Sequence, residues 1–293
     1  MLKRPLVSIV TPSFNQGRFI EENIRSVKCQ DYPNIEHIVI DGGSTDNTVE
    51  ILKKYEGIYN LRWVSEPDEG HADAVNKGFA MAQGEIIGWL NSDDVYFDRG
   101  AISAVVEAFQ KHPEADIIYG DVAYMWEDGT ILRVQCVPGF RYSRLLRGCF
   151  LEQPSVFFRR HVVEEHKLDK RLKVAIDYEY WLRIGRLYRF VHIPRILAAD
   201  RNHKGRISVA QADKLKAVRD QLRQQYLGQP SPWLRLEWGL DKILSGLPRR
   251  LKGLFLLLGL RRKNDFAFDA KVVLNMRTIR NQIFPHGVER LQP

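Results

Sequence analysis

Two adjacent carboxylates, Asp93 and Asp94, follow a short, mostly apolar run of the sequence. The run covers residues 85–90 after Gly84, and its length and composition are those of a buried strand. In open α/β sheets, ligands bind outside the carboxyl ends of the strands, where these two side chains fall. Hard cations such as Mg²⁺ are bound through one or two carboxylates together with phosphate oxygens of the substrate. The pair is therefore a candidate metal and phosphate site, and an ordinary solvated turn is the alternative.

Other carboxylates also stand at the ends of predicted elements. Asp41 ends an apolar run, and Asp46 follows it through a Gly-Gly-Ser-Thr loop that precedes a helix. Both aspartates could simply cap that helix, for which Ser44 or Thr45 is another candidate cap. Asp177 lies in the first turn of a later predicted helix, where the helix dipole favours an ionised carboxylate.

Strands and helices alternate along the part of the chain that positions these side chains. Apolar runs rich in β-branched residues predict strands, and apolar residues three and four apart predict helices. This alternation predicts an α/β fold with a mostly parallel, Rossmann-like central sheet flanked by helices. The loops after the first, second and fourth strands should then converge at one edge of the sheet. The first four predicted strands are 6–10, 35–40, 61–64 and 86–90, and the helices between them cover 19–27, 49–55 and 72–82.

Composition excludes several classes of protein. The chain has 293 residues, of which 44% are hydrophobic and 27% charged, as in ordinary globular proteins. No apolar run approaches the roughly 20 residues that span a bilayer. The N-terminus enters a strand without a cleavage site, which argues against a signal peptide. Cys29, Cys136 and Cys149 form no CxxC pair, which argues against a zinc site or a disulfide framework. We therefore expect a cytoplasmic protein.

The net charge of +8 is unevenly distributed. From residue 201 onward the chain has 19 basic and 7 acidic residues, whereas the first 200 residues are net negative. Residues 233–247 interleave tryptophans and leucines with basic residues, and the apolar run 254–260 is followed by Arg-Arg-Lys. Interfacial helices have this composition, and anionic lipid attracts such clusters. Peripheral attachment to an anionic membrane surface is the resulting hypothesis, and packing on the core or a dimer contact is the alternative. No motif supports nucleic-acid binding.

Five short motifs give the chain a resemblance to the family 2 glycosyltransferases of GT-A fold, over about residues 6–206. Each motif is weak alone, but the five occur in the order in which the family carries them. The Gln-x-x-Arg-Trp motif of processive polysaccharide synthases is absent from the sequence, so the resemblance implies a non-processive enzyme. The motifs lie at 12–15 (PSFN), 41–46 (DGGSTD), 74–78 (AVNKG), 91–94 (NSDD) and 177–183 (DYEYWLR).

The resemblance implies a donor site for a nucleotide-diphosphate sugar, with a UDP-sugar favoured. Asp93 would lie near the ribose, and Asp94 would ligate a Mn²⁺ or Mg²⁺ that bridges the diphosphate. A metal there would neutralise the charge that develops on the leaving group. The donor-binding residues that the resemblance implies are Pro12, Phe14, Asn15, Asp41, Asp68, Asp93, Asp94 and His203.

Three of these assignments leave alternatives open. Phe14 and Asp41 would line the base pocket with Asp68 nearby, although Phe14 could equally belong to the core. Family members often carry two adjacent carboxylates where this chain has Asp41 and Gly42. This difference leaves open whether the base of the donor nucleotide is uracil or guanine. His203 lies on a basic loop that could fold over the diphosphate or be merely solvated.

Asp177 matches the family's catalytic base, which accepts the proton of the acceptor hydroxyl as its oxygen attacks the anomeric carbon. An acidic helix N-terminus without a catalytic role is the alternative. Glu179 would take the role if the register slips, and Glu152 is a third candidate. Glu152 and Gln153 also precede a strand where the family approaches its acceptor, so both are acceptor-binding candidates. Gln153 could equally be a surface residue. His71 is interpreted as an ordinary loop residue.

We therefore predict a GT-A catalytic domain over residues 1–206, followed by a helical basic C-terminal region over 207–293. The nucleotide-sugar-binding half would cover about 1–122 and the acceptor half about 123–206. The predicted function is inverting transfer of a sugar to a hydroxyl of a glycan or lipid-linked acceptor, in cell-surface polysaccharide or glycolipid assembly. A catalytically inactive nucleotide-sugar-binding scaffold and a sugar-nucleotide nucleotidyltransferase are the alternatives.

Overall fold

A computed structural model describes residues 4–228 and a two-residue strand at 269–270. The first half alternates strands and helices as predicted. It contains β1 Val7–Ser13, α1 Ile20–Lys28, β2 Ile35–Asp41, α2 Thr48–Tyr55, β3 Leu61–Ser65, α3 His71–Met81 and β4 Ile86–Trp89. The second half contains β5 Val95–Tyr96, α4 Ala101–Lys111, β6 Ile117–Trp126, β7 Ile131–Gln135, α5 Tyr142–Arg147, β8 Val156–Arg159, α6 Arg160–Glu165, α7 Ile176–Ile184, β9 Phe190–Asn202, α8 Ile207–Ala210, α9 Ala212–Leu227 and β10 Asp269–Ala270. A 3-10 turn, Gln153–Ser155, leads into β8.

The strands form one sheet in the order β10-β7-β6-β8-β4-β1-β2-β3, and β9 pairs with β6 and β5. Strands β1 to β4 pair in parallel, which confirms the predicted Rossmann-like half. Strand β8 is antiparallel to both β4 and β6, and β9 returns parallel to β6. Because β9 also pairs with β5, the end of β9 lies beside the turn that carries Asp93 and Asp94.

Successive residues of the central strands pack on opposite faces of the sheet. Ile9 belongs to a core cluster with α1 and α4, whereas Val10 belongs to the cluster formed with α3, α6 and α7. This alternation follows from the two-residue period of a strand, and it explains why both faces of β1 and β4 carry buried apolar residues. Trp181 on α7 is fully buried in the second of these clusters.

Two details of the helices differ from or extend the sequence analysis. Helix α2 begins at Thr48, and Asp46 Oδ1 accepts a hydrogen bond from the Thr48 backbone N–H at 3.0 Å. The predicted cap at Ser44 or Thr45 is wrong, because the Ser44 hydroxyl donates to Asp41 instead. Helix α9 packs on the core through Leu222.

Part of the C-terminal region lies outside the described residues, including the predicted interfacial segments at 233–247 and 254–260. The short strand β10, which was not predicted, pairs antiparallel with β7. Within residues 4–228, no helix is long and apolar enough to cross a membrane. The division into domains stays a prediction.

Gly84 sets the distance between β4 and β1. Its backbone N–H donates to Ser8 Oγ at 2.7 Å, and a Cβ at this position would lie 2.6 Å from the Ser8 backbone nitrogen. Since backbone atoms cannot move aside cheaply, Gly84→Ala should lower the free energy of unfolding by about 1–3 kcal/mol. Urea unfolding of the full chain measures this difference.

Gly148→Ala is the matched control, because a Cβ at Gly148 would meet nothing within 4 Å. We expect this control to unfold within about 0.5 kcal/mol of wild type. Equal stability of the two variants would contradict the role given to Gly84.

Candidate active site

The loops after β1, β2 and β4 meet at one edge of the sheet, as predicted. The Asn15 backbone N–H donates to Ser44 Oγ at 2.7 Å, and the Thr45 N–H donates back to Asn15 Oδ1 at 2.9 Å. From α1, the Asn23 side-chain amide donates to the carbonyls at both ends of the turn 91–94, each at 2.9 Å. These bonds cross-link the three loops and stabilise the positive φ of Asn15, 52°.

Asp41 and Asp68 form one side of this edge. The Asp41 carboxylate is buried and accepts hydrogen bonds from the Ser44 N–H at 2.9 Å and from the Ser65 hydroxyl at 2.7 Å. A Cβ on Gly42 would lie 2.7 Å from a carboxylate oxygen of Asp68. Asp68 therefore occupies the space that a side chain at position 42 would need.

Phe14 lies on the surface beside this pair and is 59% exposed. The alternative that placed it in the core is therefore wrong. Pro12 is buried and lies opposite Ile40 in the pairing of β1 with β2, so its ring packs inside the sheet edge where the loops meet. The exposed aromatic ring is the part of the PSFN motif that a flat ligand could contact.

His203 contacts Asp93 directly. The distance from His203 Nε2 to Asp93 Oδ2 is 2.9 Å, and the imidazole packs on the Phe19 ring with centroids 4.8 Å apart. Burial raises the pKa of Asp93, but the hydrogen bond and charge of His203 and the charge of Arg206 outweigh it, so the pKa lies below its usual value. The loop after β9 therefore folds over the carboxylate pair.

Asp94 stands among other carboxylates in the interior. It is 3% exposed, and its Oδ1 accepts a hydrogen bond from the Arg201 backbone N–H at 2.9 Å. Burial, and then the charges of Asp200 and Asp93, raise the pKa of Asp94 well above its usual value. Burial also raises the pKa of Asp200 to about 6, although Arg206 binds its carboxylate with two N–H groups. The cluster retains negative charge that a bound cation would neutralise.

Arg201 is the buried cation that joins these parts. Its Nε donates to the Asp93 carbonyl at 2.8 Å, its Nη1 donates to the Glu127 carbonyl at 2.9 Å, and its Nη2 pairs with Glu22. The guanidinium also lies 5.0 Å from the centroid of the Phe19 ring. The sequence alone assigns Arg201 no role of its own. The only feature that could have indicated one is its position just before the loop that carries His203.

Gln153 is buried, which corrects the alternative of a surface position. Its amide donates to the Trp89 carbonyl and accepts from the Asn91 side-chain amide at 2.9 Å. The amide nitrogen and the amide oxygen of Gln153 are therefore both bonded to the strand and turn that lead to Asp93 and Asp94. In this structure Gln153 positions the turn.

Glu152 accepts a hydrogen bond from the Gln135 side chain on its Oε1 at 2.7 Å. Burial first, and then the charges of Asp200 and Asp177, raise the pKa of Glu152 to about 7, against a hydrogen bond from Tyr124 and the charge of Arg206. Asp177 is the second residue of α7, and Ala175, which precedes the helix, has a left-handed backbone with φ 56°. Glu152 therefore lies near enough to both Asp177 and Asp200 to respond to their charges.

The residues fit a metal that is bound partly by its substrate. In the part of the chain that the structure describes, no group of three or more His, Cys, Asp or Glu side chains converges on one point. A Mg²⁺ or Mn²⁺ bound through one or two carboxylates and the oxygens of a diphosphate does not require such a group. Asp94 offers a carboxylate within excess negative charge, which suits this mode.

Comparison with known proteins decides the family. The model of glycosyl transferase family 2 matches residues 8–167. An uncharacterized glycosyltransferase of Mycobacterium tuberculosis is 34% identical over 191 residues, which cover 62% of this chain and 70% of that relative. The chain belongs to glycosyl transferase family 2. The chain is also similar to an uncharacterized glycosyltransferase of Rickettsia prowazekii. The two are 28% identical over 230 residues, and these residues cover 74% of this chain and 70% of the relative.

Solved structures similar to this glycosyltransferase share its fold. TarS of S. aureus in complex with UDP-GlcNAc aligns with a TM-score of 0.58 at 18% identity, over 85% of this chain and 83% of that one. The mannosyltransferase PcManGT of Pyrobaculum calidifontis, in complex with GDP-Man and Mn²⁺, aligns with a TM-score of 0.58 at 19% identity, over 89% and 82%. The GT-A fold and the glycosyltransferase activity that the sequence predicted are thereby confirmed.

The raised pKa of Glu152 makes the stability of this glycosyltransferase depend on pH. The folded state holds the Glu152 proton up to about pH 7, whereas a glutamate in the unfolded chain releases it near its ordinary pKa of 4.5. Stability is therefore lost as the pH rises between these two values. Glu152→Gln keeps an acceptor for Gln135 and removes the charge. Its free energy of unfolding should therefore exceed that of wild type by about 1–3 kcal/mol at pH 8.

At pH 4.5 the two proteins should differ little in urea unfolding. Glu50→Gln, at an exposed position of α2, controls for the loss of one charge. An equal rise in the free energy of unfolding of both variants at pH 8 would contradict the assignment of this pH dependence to Glu152.

Proposed function

We propose that this glycosyltransferase transfers a sugar, with inversion and one residue at a time, from a nucleotide-diphosphate sugar to a hydroxyl group. The observation that carries the proposal is the juxtaposition of Asp93, Asp94 and His203 with Arg206 at the sheet edge. The acceptor would be a glycan or a lipid-linked sugar in the assembly of cell-surface polysaccharide or glycolipid. A hyaluronan synthase of Pasteurella multocida, of which the chain matches only 23%, is 26% identical over 228 residues.

The donor nucleotide would bind against the exposed ring of Phe14 and the pair Asp41 and Asp68. The Asp41 carboxylate is already bonded to Ser44 and Ser65, so Asp68 is the carboxylate better placed to accept an N–H of the base. Both uracil and guanine present such an N–H. A UDP-sugar stays our first expectation, and the titrations below compare the two nucleotides.

The diphosphate would lie over Asp93 and Asp94, beneath the loop that carries His203 and Arg206. Asp94 would hold a Mn²⁺ or Mg²⁺, which when bound neutralises charge on the leaving nucleoside diphosphate. Arg206 is already charged and held in place by Asp200, so it adds a fixed positive potential at the same position.

Asp177 would accept the proton of the acceptor hydroxyl while that oxygen attacks the anomeric carbon. The bond from that carbon to the diphosphate oxygen breaks, and the nucleoside diphosphate leaves. Glu179 is not available for this role, because Arg183 at 2.9 Å and the Tyr226 hydroxyl at 2.9 Å bind its carboxylate. Glu152 would contact the acceptor from the opposite side of the cleft.

The first test titrates UDP and GDP into the full chain by calorimetry, with and without Mn²⁺. Asp94→Asn should abolish the metal-dependent part of nucleotide binding, since an amide is a poor ligand for a hard cation. The same variant should be at least as stable as wild type at pH 7, because the amide can still accept from Arg201 and relieves buried charge.

Asp220→Asn, on the exposed side of α9, is the matched control and should bind like wild type. If wild type binds neither nucleotide with any metal, the donor site proposed here is wrong and a scaffold role is favoured.

The second test separates binding from chemistry. Asp177→Asn should bind the nucleotide within about twofold of wild type but release nucleoside diphosphate from sugar nucleotides about 10²–10⁴ times more slowly. Release is measured with UDP-glucose, UDP-galactose, UDP-N-acetylglucosamine and GDP-mannose. Glu179→Gln should retain the wild-type rate if it folds, and the opposite pattern would transfer the base role to Glu179.

A further inference from the structure

His71 is a half-buried histidine to which the proposed mechanism gives no role. It is the first residue of α3 and directly follows Gly70, whose φ of 114° turns the chain into the helix. The His71 Nε2 atom is buried and has no hydrogen-bond partner in the part of the chain that the structure describes. A buried polar atom without a partner is rare in folded proteins, so its presence at a ligand-binding edge calls for an explanation.

One side of the imidazole packs on the strand that carries the donor carboxylates. The rings of His71 and Trp89 meet edge to face with centroids 5.6 Å apart. The Trp89 indole N–H donates to Asn91 Oδ1 at 2.9 Å, and Asn91 opens the turn that ends in Asp94. His71 is therefore held against the start of the diphosphate site.

The chain just before His71 is bonded to the segment that leads to Asp177. Lys173 Nζ donates to the Glu69 carbonyl at 2.5 Å, and Lys170 Nζ lies 2.6 Å from Glu69 Oε1. These contacts clamp the beginning of α3 to residues 170–173, a few residues before α7 begins.

The electrostatics of the imidazole agree with this position. Burial lowers the pKa of His71, while the charges of Asp93 and Asp177, a hydrogen bond with the Asn91 side chain and the charge of Asp68 oppose that shift. The side chain is therefore neutral at pH 7. A neutral imidazole offers one N–H donor and one acceptor nitrogen, which suits a hydroxyl group better than a phosphate.

The geometry points to the transferred sugar as the missing partner of Nε2. The bond that breaks joins the anomeric carbon to the diphosphate, so the sugar ring must extend from the Asp93 and Asp94 side toward Asp177. His71 lies close enough to Asp93 and to Asp177 for both charges to act on its imidazole. We propose that His71 Nε2 hydrogen-bonds a hydroxyl of the transferred sugar and selects the donor by that hydroxyl; this inference rests on the function proposed above.

The test compares ligands with and without the sugar. Nucleoside diphosphates (UDP and GDP) and the four sugar nucleotides named above are titrated with Mn²⁺ into wild type, His71→Phe and His71→Gln. His71→Phe keeps a ring against Trp89 and removes both nitrogens, whereas His71→Gln keeps a polar group of similar reach. His112→Phe, at the exposed end of α4, is the control for an unrelated histidine.

We expect His71→Phe to weaken binding of the preferred sugar nucleotide about tenfold or more and to change nucleoside diphosphate binding less than twofold. His71→Gln should recover part of the loss. Deoxy analogues of the preferred sugar should identify one hydroxyl whose removal weakens wild type but no longer affects His71→Phe, because both changes remove the same bond.

Three results would overturn the inference. Equal weakening of both ligand classes would show that His71 only supports the fold of the donor site, and unchanged binding of both would show that it does not contact the sugar. Additive effects for every hydroxyl would exclude a direct bond. Absence of nucleotide binding by wild type would instead refute the proposed function, and this inference with it.

Discussion

Buried negative charge at the end of the sheet is the constraint on which the rest of this structure depends. The charges of Asp200 and Asp93 add to burial in raising the pKa of Asp94, and the charge of Asp93 likewise adds to burial in raising the pKa of Asp200. Two guanidinium groups stabilise the cluster: Arg206 binds Asp200 directly, and Arg201 binds the backbone beside Asp93. Removing a partner from such a buried set leaves an uncompensated charge, which is far more destabilising than losing a surface ion pair.

This constraint explains the long excursion of β9. The strand runs parallel to β6 over most of its length and pairs with β5 only at its end, next to the carboxylate turn. Its last residues bring Asp200, Arg201 and His203 to a site whose aspartates are more than one hundred residues earlier in the chain. Helix α1 completes the enclosure, because Phe19 packs on both Arg201 and His203.

The two sides of the proposed site have different electrostatic environments. The proposed donor side combines Asp93, a carboxylate of lowered pKa, with cationic side chains, which suits the diphosphate and metal proposed above. The proposed acceptor side contains Glu152, whose pKa of about 7 leaves it partly protonated under neutral conditions. A carboxyl group that changes charge near neutrality can accept or donate a hydrogen bond to a sugar hydroxyl, whereas ionised Asp93 can only accept.

The sequence by itself determined the parallel half of the sheet, the edge at which the loops meet, and the motifs that place Asp93, Asp94 and Asp177 at element ends. Those features are local, because strand and helix periodicity and turn chemistry are encoded within a few residues. Tertiary structure alone decided that Gln153 is buried, that Asp68 occupies the space beside Gly42, that Arg201 is enclosed and that His71 Nε2 lacks a partner. Each of these depends on packing between segments far apart in the chain, and a residue's type does not specify which distant segment will cover it.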